Sequence, residues 1–332
     1  MNLHPRALAC AAGLALVLTG TACTAAGGPG PPASAAGPAG GTVTDTRAST
    51  GASTGASRPV IVVGSFNFPE SVTLAYLYAD ALADRGYPVR VLPDLGPREL
   101  VDPALMVGLI QLVPEYTGSA LEFVSLGQVQ ATASVAATDA ALARAVTGRG
   151  LVLGRPAAAQ DGNAIVVTAA TAARYRLGTI SSLAPVASRL VFGGPPECPE
   201  RAYCLPGLRL TYGLRFRQFV ALDADGPLTR QALAAGDIGV ALLFTTDPAI
   251  AAQHLVVLTD NHGLQPAENV VPVLRRATAD RYGPGLLAAL GAVSARLSTA
   301  ALAKMDAEVE LGHLDPQAVA RQWLRAAGLA AP

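Results

Sequence analysis

Charged residues are scarce in this chain, and lysine is almost absent. Only 14% of the 332 residues are charged, the formal net charge is +0, and Lys304 is the single lysine. A neutral chain without basic clusters offers no electrostatic footprint for nucleic acid, and no basic run indicates a helix that lies on a membrane surface. We therefore expect no nucleic-acid partner.

Histidine is also rare, and the motifs of several enzyme classes are missing. Beyond the N-terminal region the sequence has only His254, His262 and His313, whose spacing does not match a set of metal ligands. There is no P-loop, so any nucleotide hydrolysis must come from a partner. We also expect no cofactor. A G-x-S-x-G match at residues 51–55 lacks the strand and helix that a nucleophile elbow requires, and we interpret it as chance.

Hydrophobic residues are plentiful, at 51%, and the first long apolar run lies near the N-terminus. The run ALACAAGLALVLTG (residues 7–20) follows Arg6 and is too short to span a membrane comfortably. Residues 1–23 resemble a bacterial lipoprotein signal, which implies lipidation of Cys23 and a membrane anchor outside the cytoplasm. Gly20 stands where leucine is commoner, so ordinary secretory cleavage is the alternative.

The segment after the signal has a different composition from the rest of the chain. Residues 24–58 consist largely of Gly, Pro, Ala, Ser and Thr, which predicts a flexible tether without a core. Further along, Cys198 and Cys204 lie close together in PPECPERAYCLPG. In an exported protein this spacing favours a disulfide that closes a small loop, because a metal site would need more ligands.

From residue 59 onwards, apolar strands alternate with amphipathic helices. The predicted strands are VIVVG (60–64), VRVL (89–92), LIQLV (109–113), AIVVT (164–168), LVFGG (190–194), IGVALLFTTD (238–247) and LVVLTD (255–260). From Thr278 on, the pattern predicts three helices, with Ser298 capping the second and Asp315 opening the third.

This alternation predicts an α/β fold with two lobes, each a parallel or mixed sheet flanked by helices. Residues 59–160 with 263–332 form the first predicted lobe, and residues 161–262 form the second. Since the chain crosses between them twice, we expect a hinge and a ligand cleft between the lobes, at the carboxyl ends of the strands. The segments SFNF, PEYTGS, FGGPPE and FTTD fall at those ends.

Seven segments together carry a family resemblance between about residues 60 and 329. They are GSFNFPES, LGPRELVDPAL, LVPEYTGSAL, NAIVVT, PGLRLTYGL, ALAAGDIGVALLFTTD and ENVVPVLR. In this order they resemble the substrate-binding proteins of ABC importers for glycine betaine, choline, carnitine and related osmoprotectants (the OpuAC/ProX type). The resemblance implies a two-lobed periplasmic-binding-protein fold and a cage of aromatic rings around a quaternary ammonium, which has no N–H to donate.

Four positions match the site that the resemblance implies. Tyr116 matches the cage tyrosine of the EYTG motif, and Phe244 falls near another cage ring. Ser119 stands where a threonine often helps to bind the ligand carboxylate, and Arg201 matches the arginine that reaches this carboxylate. A packed core ring is the alternative for Tyr116, and a surface position beside the disulfide is the alternative for Arg201.

Three positions depart from the family pattern. Phe66 occupies the place of a lysine that contacts the ligand in many members, and Asn163 and Glu268 stand where betaine-specific members tend to have tyrosines. Glu268 offers a counter-charge to a cation. Because side chains alternate along an extended segment, we assign Phe66 to the cleft and Phe68 to the core.

Polar residues beside these motifs complete the predicted ligand site. They are Ser65, Asn67, Thr117, Thr246 and Asn269. Asn67 and Ser65 alternatively cap the helix that follows them, and Thr246 alternatively precedes a helix start at Asp247. We expect Arg98 and Glu99 on a solvated helix face, with a pair between the lobes as the alternative.

These observations predict a monomeric, extracytoplasmic solute-binding protein without catalytic activity. It would bind glycine betaine, choline, carnitine or a related small zwitterionic or cationic solute, and would deliver it to an ABC permease driven by an ATPase subunit. Three alternatives stay open: a receptor for another zwitterion or an anion, an exported hydrolase, and a sensor or adhesin that serves no transporter.

Overall fold

Two five-stranded sheets, each flanked by helices, organise the part of the chain that the structure describes. The computed structural model describes residues 58–331. The predicted export signal with Cys23, and all but the last residue of the predicted tether, lie outside these residues.

The first segment of the chain alternates strands and helices. Its elements are β1 (Ile61–Gly64), α1 (Pro69–Ala83), β2 (Val89–Leu92), α2 (Arg98–Val107), β3 (Leu112–Tyr116), α3 (Thr117–Ser125), α4 (Val135–Thr147) and β4 (Leu151–Leu153). All four residues of β1 are buried, as its continuous apolar sequence predicts.

The second segment builds the other sheet. Its elements are β5 (Asn163–Val167), α5 (Ala169–Tyr175), two 3₁₀ helices (Ile180–Leu183 and Ala187–Arg189), β6 (Val191–Gly194), α6 (Leu205–Tyr212), β7 (Gln218–Ala221), α7 (Pro227–Ala235), β8 (Val240–Phe244), α8 (Ala249–Ala252) and β9 (Val256–Val257). Cys198 and Cys204 form the predicted disulfide in the loop between β6 and α6.

The third segment returns to the first sheet and ends in helices. Its elements are β10 (Val270–Arg275), α9 (Arg276–Tyr282), α10 (Pro284–Ser294), α11 (Thr299–Glu310) and α12 (Pro316–Ala326). Helices α10, α11 and α12 pack against α1. The side chains of Ser298 and Asp315 cap α11 and α12 as predicted.

Both sheets are mixed. The strand orders are β2-β1-β3-β10-β4 in the first sheet and β7-β6-β8-β5-β9 in the second. β1 pairs in parallel with β2 and β3, and β6 pairs in parallel with β7 and β8. The strands that arrive from the other sheet, β10 and β5, run antiparallel to their neighbours. The chain therefore passes between two α/β lobes twice, before β5 and again before β10.

Two predicted elements need correction. The third strand was expected at residues 109–113 but begins at Leu112, because Gly108 ends α2 in a left-handed conformation (φ 88°) and Leu109 is exposed in the turn that follows. The C-terminal part has four helices rather than three, because Gly283, at φ 75°, separates α9 from α10.

Among residues 58–331, no single helix is both long and apolar enough to cross a membrane. Helices α10 and α11 reach the required length and apolarity only together, and they are bent by 81° at their junction.

Candidate ligand-binding cleft

A cleft lies where the two lobes face each other, and we call it the binding cleft. It is bounded by residues of both lobes and is partly open to solvent. Its lining residues are Phe66, Asn67, Phe68, Pro97, Arg98, Tyr116, Ser119, Asp161, Gly162, Asn163, Glu197, Arg201, Ala224, Phe244 and Glu268. Most of them follow the carboxyl ends of strands or lie in the two connections between the sheets.

Aromatic rings from both lobes meet at Phe68. Its ring stacks on Phe66 with centroids 5.9 Å apart, and lies 6.0 Å from the ring of Tyr116. From the other lobe, Phe244 approaches Phe68 edge to face at 5.1 Å. The prediction that Phe68 faces the core was therefore wrong. Since β1 ends at Gly64, strand alternation does not extend to residues 65–68.

Arg98 occupies one face of the Phe66 ring. Its guanidinium lies 4.9 Å from the ring centroid, and it forms a two-pronged bond to Glu115, with Nε–Oε1 at 2.9 Å and Nη2–Oε2 at 2.8 Å. Burial alone would lower the pKa of Arg98, but the Glu115 carboxylate outweighs burial and raises it. The expectation of a solvated helix face was wrong for Arg98, which is only 8% exposed.

Glu268 fills the N-terminus of α3. Its carboxylate accepts bonds from the backbone N–H groups of Gly118 (2.9 Å) and Ser119 (3.0 Å), and from the Ser119 hydroxyl (2.6 Å). Burial raises the pKa of Glu268 to about 7, although these bonds and the charge of Arg98 act in the opposite direction. A carboxylate of the protein thus occupies the place that the sequence analysis gave to a ligand carboxylate.

The hydroxyl of Tyr116 is bonded to a buried acid, Glu70. This hydroxyl donates a hydrogen bond to Glu70 Oε1, and Glu70 Oε2 accepts a bond of 2.8 Å from the Thr246 hydroxyl in the second lobe. Burial raises the pKa of Glu70 well above its usual value, and the charges of Asp161 and Asp306 raise it further. Tyr116 therefore presents its ring to the cleft while its polar end is satisfied by the protein.

An ion pair joins the two lobes at the cleft. Arg201 Nη2 lies 3.0 Å from Glu99 Oε2, with both side chains partly exposed. Partial burial would raise the pKa of Glu99, but the Arg201 guanidinium lowers it. The alternative of a pair between the lobes thus applies to Glu99. Arg201 and Glu197 also line the cleft, and both lie in the loop that contains the disulfide.

Eight of the predicted ligand-binding residues line the binding cleft. They are Phe66, Asn67, Tyr116, Ser119, Asn163, Arg201, Phe244 and Glu268. Asn67 is exposed there and does not cap α1, which has no side-chain cap. The Asn163 amide donates to Tyr203 O (3.2 Å) and Gln265 Oε1 (3.1 Å), so its NH₂ group is already used.

The other four predicted residues are buried behind the lining and bond to the protein. The Ser65 hydroxyl donates to Phe66 O and accepts from the Asp94 N–H. The prediction that Ser65 lines the cleft was therefore wrong. Thr117 accepts from the backbone N–H of Asn269, and the Asn269 amide donates to Ala157 O. Thr246 is held by Glu70. Their hydroxyl and amide groups therefore stabilise the residues around the cleft and do not line it.

Sequence reasoning missed several lining residues. They are Phe68, Pro97, Arg98, Asp161, Gly162, Glu197 and Ala224. Asp161 is 4% exposed, and its Oδ1 accepts bonds of 3.0 Å from Thr245 Oγ1 and from the Thr246 N–H. Burial raises the pKa of Asp161 to about 6 against these bonds. Its position in the connection between the sheets was the available signal.

No histidine or cysteine is among the lining residues, and no group of three or more His, Cys, Asp or Glu side chains in residues 58–331 is arranged to hold a metal. The cleft offers instead π-faces, carboxylates and paired guanidinium groups. Such a surface binds a cationic or zwitterionic solute by cation–π and electrostatic attraction.

Comparison with known proteins identifies the family. Residues 59–326 match the sequence model of OpuAC, the substrate binding domain of ABC-type glycine betaine transport system. The glycine betaine-binding protein YehZ of Escherichia coli is 29% identical over 290 residues, which cover 81% of this chain and 90% of YehZ. A glycine-betaine-binding protein of Pseudomonas aeruginosa is 27% identical over 272 residues, 79% of this chain and 86% of the relative.

A solved structure shows the same fold. The crystal structure of a glycine betaine/carnitine/choline ABC transporter protein has a TM-score of 0.64 at 20% identity, and the match covers 81% of this chain and 99% of that one. The two-lobed architecture predicted from the sequence is confirmed. Together with the match over residues 59–326, this shows that the chain belongs to the OpuAC family of substrate-binding domains from ABC-type glycine betaine transport systems.

Proposed function

We propose that the binding cleft captures a small quaternary-ammonium solute against the rings of Phe68, Tyr116 and Phe244. The observation that carries this proposal is the meeting of these rings at Phe68, with centroids 5.1 Å and 6.0 Å from it. A methylated ammonium cannot donate hydrogen bonds, so ring faces and apolar contact are its natural partners. Phe244 comes from the second lobe, so a solute held by all three rings favours the closed arrangement.

The lining residues set the remaining contacts in this proposal. Phe66 supports the ring of Phe68 from one side, and Asn67 and Asn163 lie on the polar part of the wall. Ser119 and Arg201 line the cleft with their polar groups already bonded to Glu268 and Glu99. In this proposal the aromatic rings therefore contribute more to recognition of the solute than Ser119 and Arg201 do.

In the cell, the protein would deliver its solute to an ABC permease driven by an ATPase subunit. The relatives named glycine betaine-binding proteins support this role. We propose that the protein acts as a monomer outside the cytoplasm, held at the membrane by lipid on Cys23. No catalytic step is part of the proposal.

Isothermal titration calorimetry with tetramethylammonium, choline, glycine betaine and carnitine tests the proposed function. We expect at least one of them to bind, and Phe68→Leu to weaken its binding by about tenfold or more because one ring face is lost. Phe216→Leu is the matched control: Phe216 packs against Phe192 at 4.8 Å in the second lobe and is not a lining residue. Absence of binding by all four compounds, or equal affinity of Phe68→Leu and the unchanged protein, would overturn the proposal.

A further inference from the structure

We infer that the binding cleft selects a quaternary ammonium solute that has no carboxylate, such as choline, over zwitterions such as glycine betaine. The inference rests on the proposed function, in which the rings receive the ammonium group. It goes further because it assigns the other end of the solute, and because it gives Glu268 the role of excluding an anion.

The first observation is that the helix terminus in the cleft is already occupied. The N-terminus of a helix attracts anions, since its N–H groups have no partners within the helix. In α3 the N–H groups of Gly118 and Ser119, together with the Ser119 hydroxyl, all donate to Glu268. A solute carboxylate would have to displace a carboxylate that is built into the protein and is only 4% exposed.

The second observation is that both lining arginines are paired with acids outside the lining. Arg98 is bonded through two nitrogens to Glu115, which is 1% exposed, and Arg201 pairs with Glu99. A guanidinium that already has a carboxylate partner contributes little net positive charge to the cleft. Neither arginine is therefore free to form the bidentate hydrogen bond that would favour binding of a solute carboxylate.

The third observation is the remaining charge of the lining. Because both arginines are paired with acids outside the lining, the unpaired charge in the lining comes from its acids. They are Asp161, Glu197 and Glu268. These lining acids would repel the carboxylate of a zwitterion, whereas they would attract a cation. Burial raises the pKa of Glu268 to about 7, and a bound cation would favour its ionised form.

Neutral groups in the same wall suit a hydroxyl. The Asn67 side chain is exposed in the cleft and can donate or accept. The lining carboxylates can accept a hydrogen bond from a hydroxyl without charge repulsion, since a hydroxyl is neutral. A quaternary amino alcohol such as choline therefore suits both the rings, which receive its ammonium group, and the polar wall, which receives its hydroxyl. A betaine suits only the rings.

Calorimetric titration of choline, glycine betaine and tetramethylammonium into the protein and into Glu268→Gln tests the inference. We expect choline to bind about tenfold or more tightly than glycine betaine. Glu268→Gln should weaken choline binding and reduce the ratio of the choline affinity to the glycine betaine affinity. The glutamine keeps an oxygen that can cap α3. Glu122→Gln is the control: Glu122 lies on α3, the helix that Glu268 caps, but it is not a lining residue, so removing its charge should leave the ratio of the two affinities unchanged.

Each outcome separates the inference from the proposed function. If glycine betaine binds as tightly as choline while tetramethylammonium also binds, the inference fails and the proposed function stands. An unchanged ratio in Glu268→Gln removes Glu268 from selection and overturns the inference as stated. If none of the three compounds binds, both are overturned.

Discussion

The hydroxyl of Thr246 donates a hydrogen bond of 2.8 Å to Glu70 Oε2, and this bond connects the second lobe to helix α1 of the first. The other oxygen of Glu70 accepts the hydroxyl of Tyr116, whose ring lines the binding cleft. One carboxylate thus contacts both the cleft wall and the opposite lobe. Because ligand capture requires the lobes to approach each other, this contact couples the position of the Tyr116 ring to closure.

Thr246→Val should weaken solute binding several-fold. Valine keeps the shape of threonine but leaves Glu70 Oε2 without its donor, which costs about 1–3 kcal/mol in a buried site. Thr73→Val is the matched control, since the Thr73 hydroxyl bonds to Pro69 O within α1 and does not join the lobes. Calorimetry measures both affinities. Equal losses in the two variants would show that the hydroxyl matters only for folding.

Tyr116→Ala should weaken solute binding by about tenfold or more, because a ring face is lost from the cleft. Tyr116→Phe keeps the ring and removes only the bond to Glu70, so it should retain affinity within about threefold. Calorimetry with the best solute from the panel measures both. A phenylalanine variant as weak as the alanine variant would assign the function to the hydroxyl and not to the ring.

Stability should fall as pH rises from about 4 to 7, the interval between the unfolded-state and folded-state pKa values of Asp161 and Glu268. Burial raises the pKa of Asp161 to about 6 and that of Glu268 to about 7, so the folded protein holds protons that the unfolded chain has released. The unfolded state then binds fewer protons, and the free energy of unfolding decreases with pH across this window. The rise from 3.8 to about 6 in Asp161 corresponds to about 3 kcal/mol.

Scanning calorimetry between about pH 4 and 7 measures this decrease in stability. The Glu70 carboxyl, which faces Tyr116, Asp161 and Asp306, contributes in the same direction, because its pKa is also raised. Glu268→Gln should flatten the upper part of the curve, since glutamine does not titrate. A melting temperature that rises with pH across the window would contradict the raised pKa values of these buried acids.

The apolar runs predicted several strands because those strands are continuous and buried, as in β1 and β8. β10 was missed, although it is an interior strand of the first sheet, because Pro272 interrupts its apolar sequence. Pro272 lies opposite Pro114 of β3 in the antiparallel register. Neither proline has an N–H group, so this pair exchanges no N–H bond and the ladder tolerates both.

The site was predictable only where a motif marks a strand end. Tyr116 and Phe244 are the last residues of β3 and β8, and both line the cleft. The bond between Ser119 and Glu268 joins residues 149 positions apart, and local patterns carry no information on such a pair. The sequence therefore placed Ser119 in the site but could not show that Glu268, a carboxylate of the protein itself, is its partner.

Loss of the disulfide should weaken both folding and binding. Replacing Cys198 and Cys204 together with alanine should lower the free energy of unfolding by about 2 kcal/mol, the amount expected for so short a closed loop. Binding should weaken as well, because Glu197 and Arg201 line the cleft from this loop. Urea unfolding and calorimetry measure the two effects. Thiol labelling of both positions in the unreduced, unfolded protein would show that the bridge is absent.

A double-mutant cycle can separate the two roles of Arg201. If its main partner is Glu99, then Arg201→Gln and Glu99→Gln should each weaken solute binding slightly, by less than about 1 kcal/mol for so exposed a pair, and the double variant should lose no more than either one. If Arg201 instead binds a solute carboxylate, Glu99→Gln should free it and strengthen glycine betaine binding while leaving choline unchanged. Calorimetry of both solutes on the four proteins distinguishes these results. Since Arg201 Nη2 lies 3.0 Å from Glu99, we expect the first.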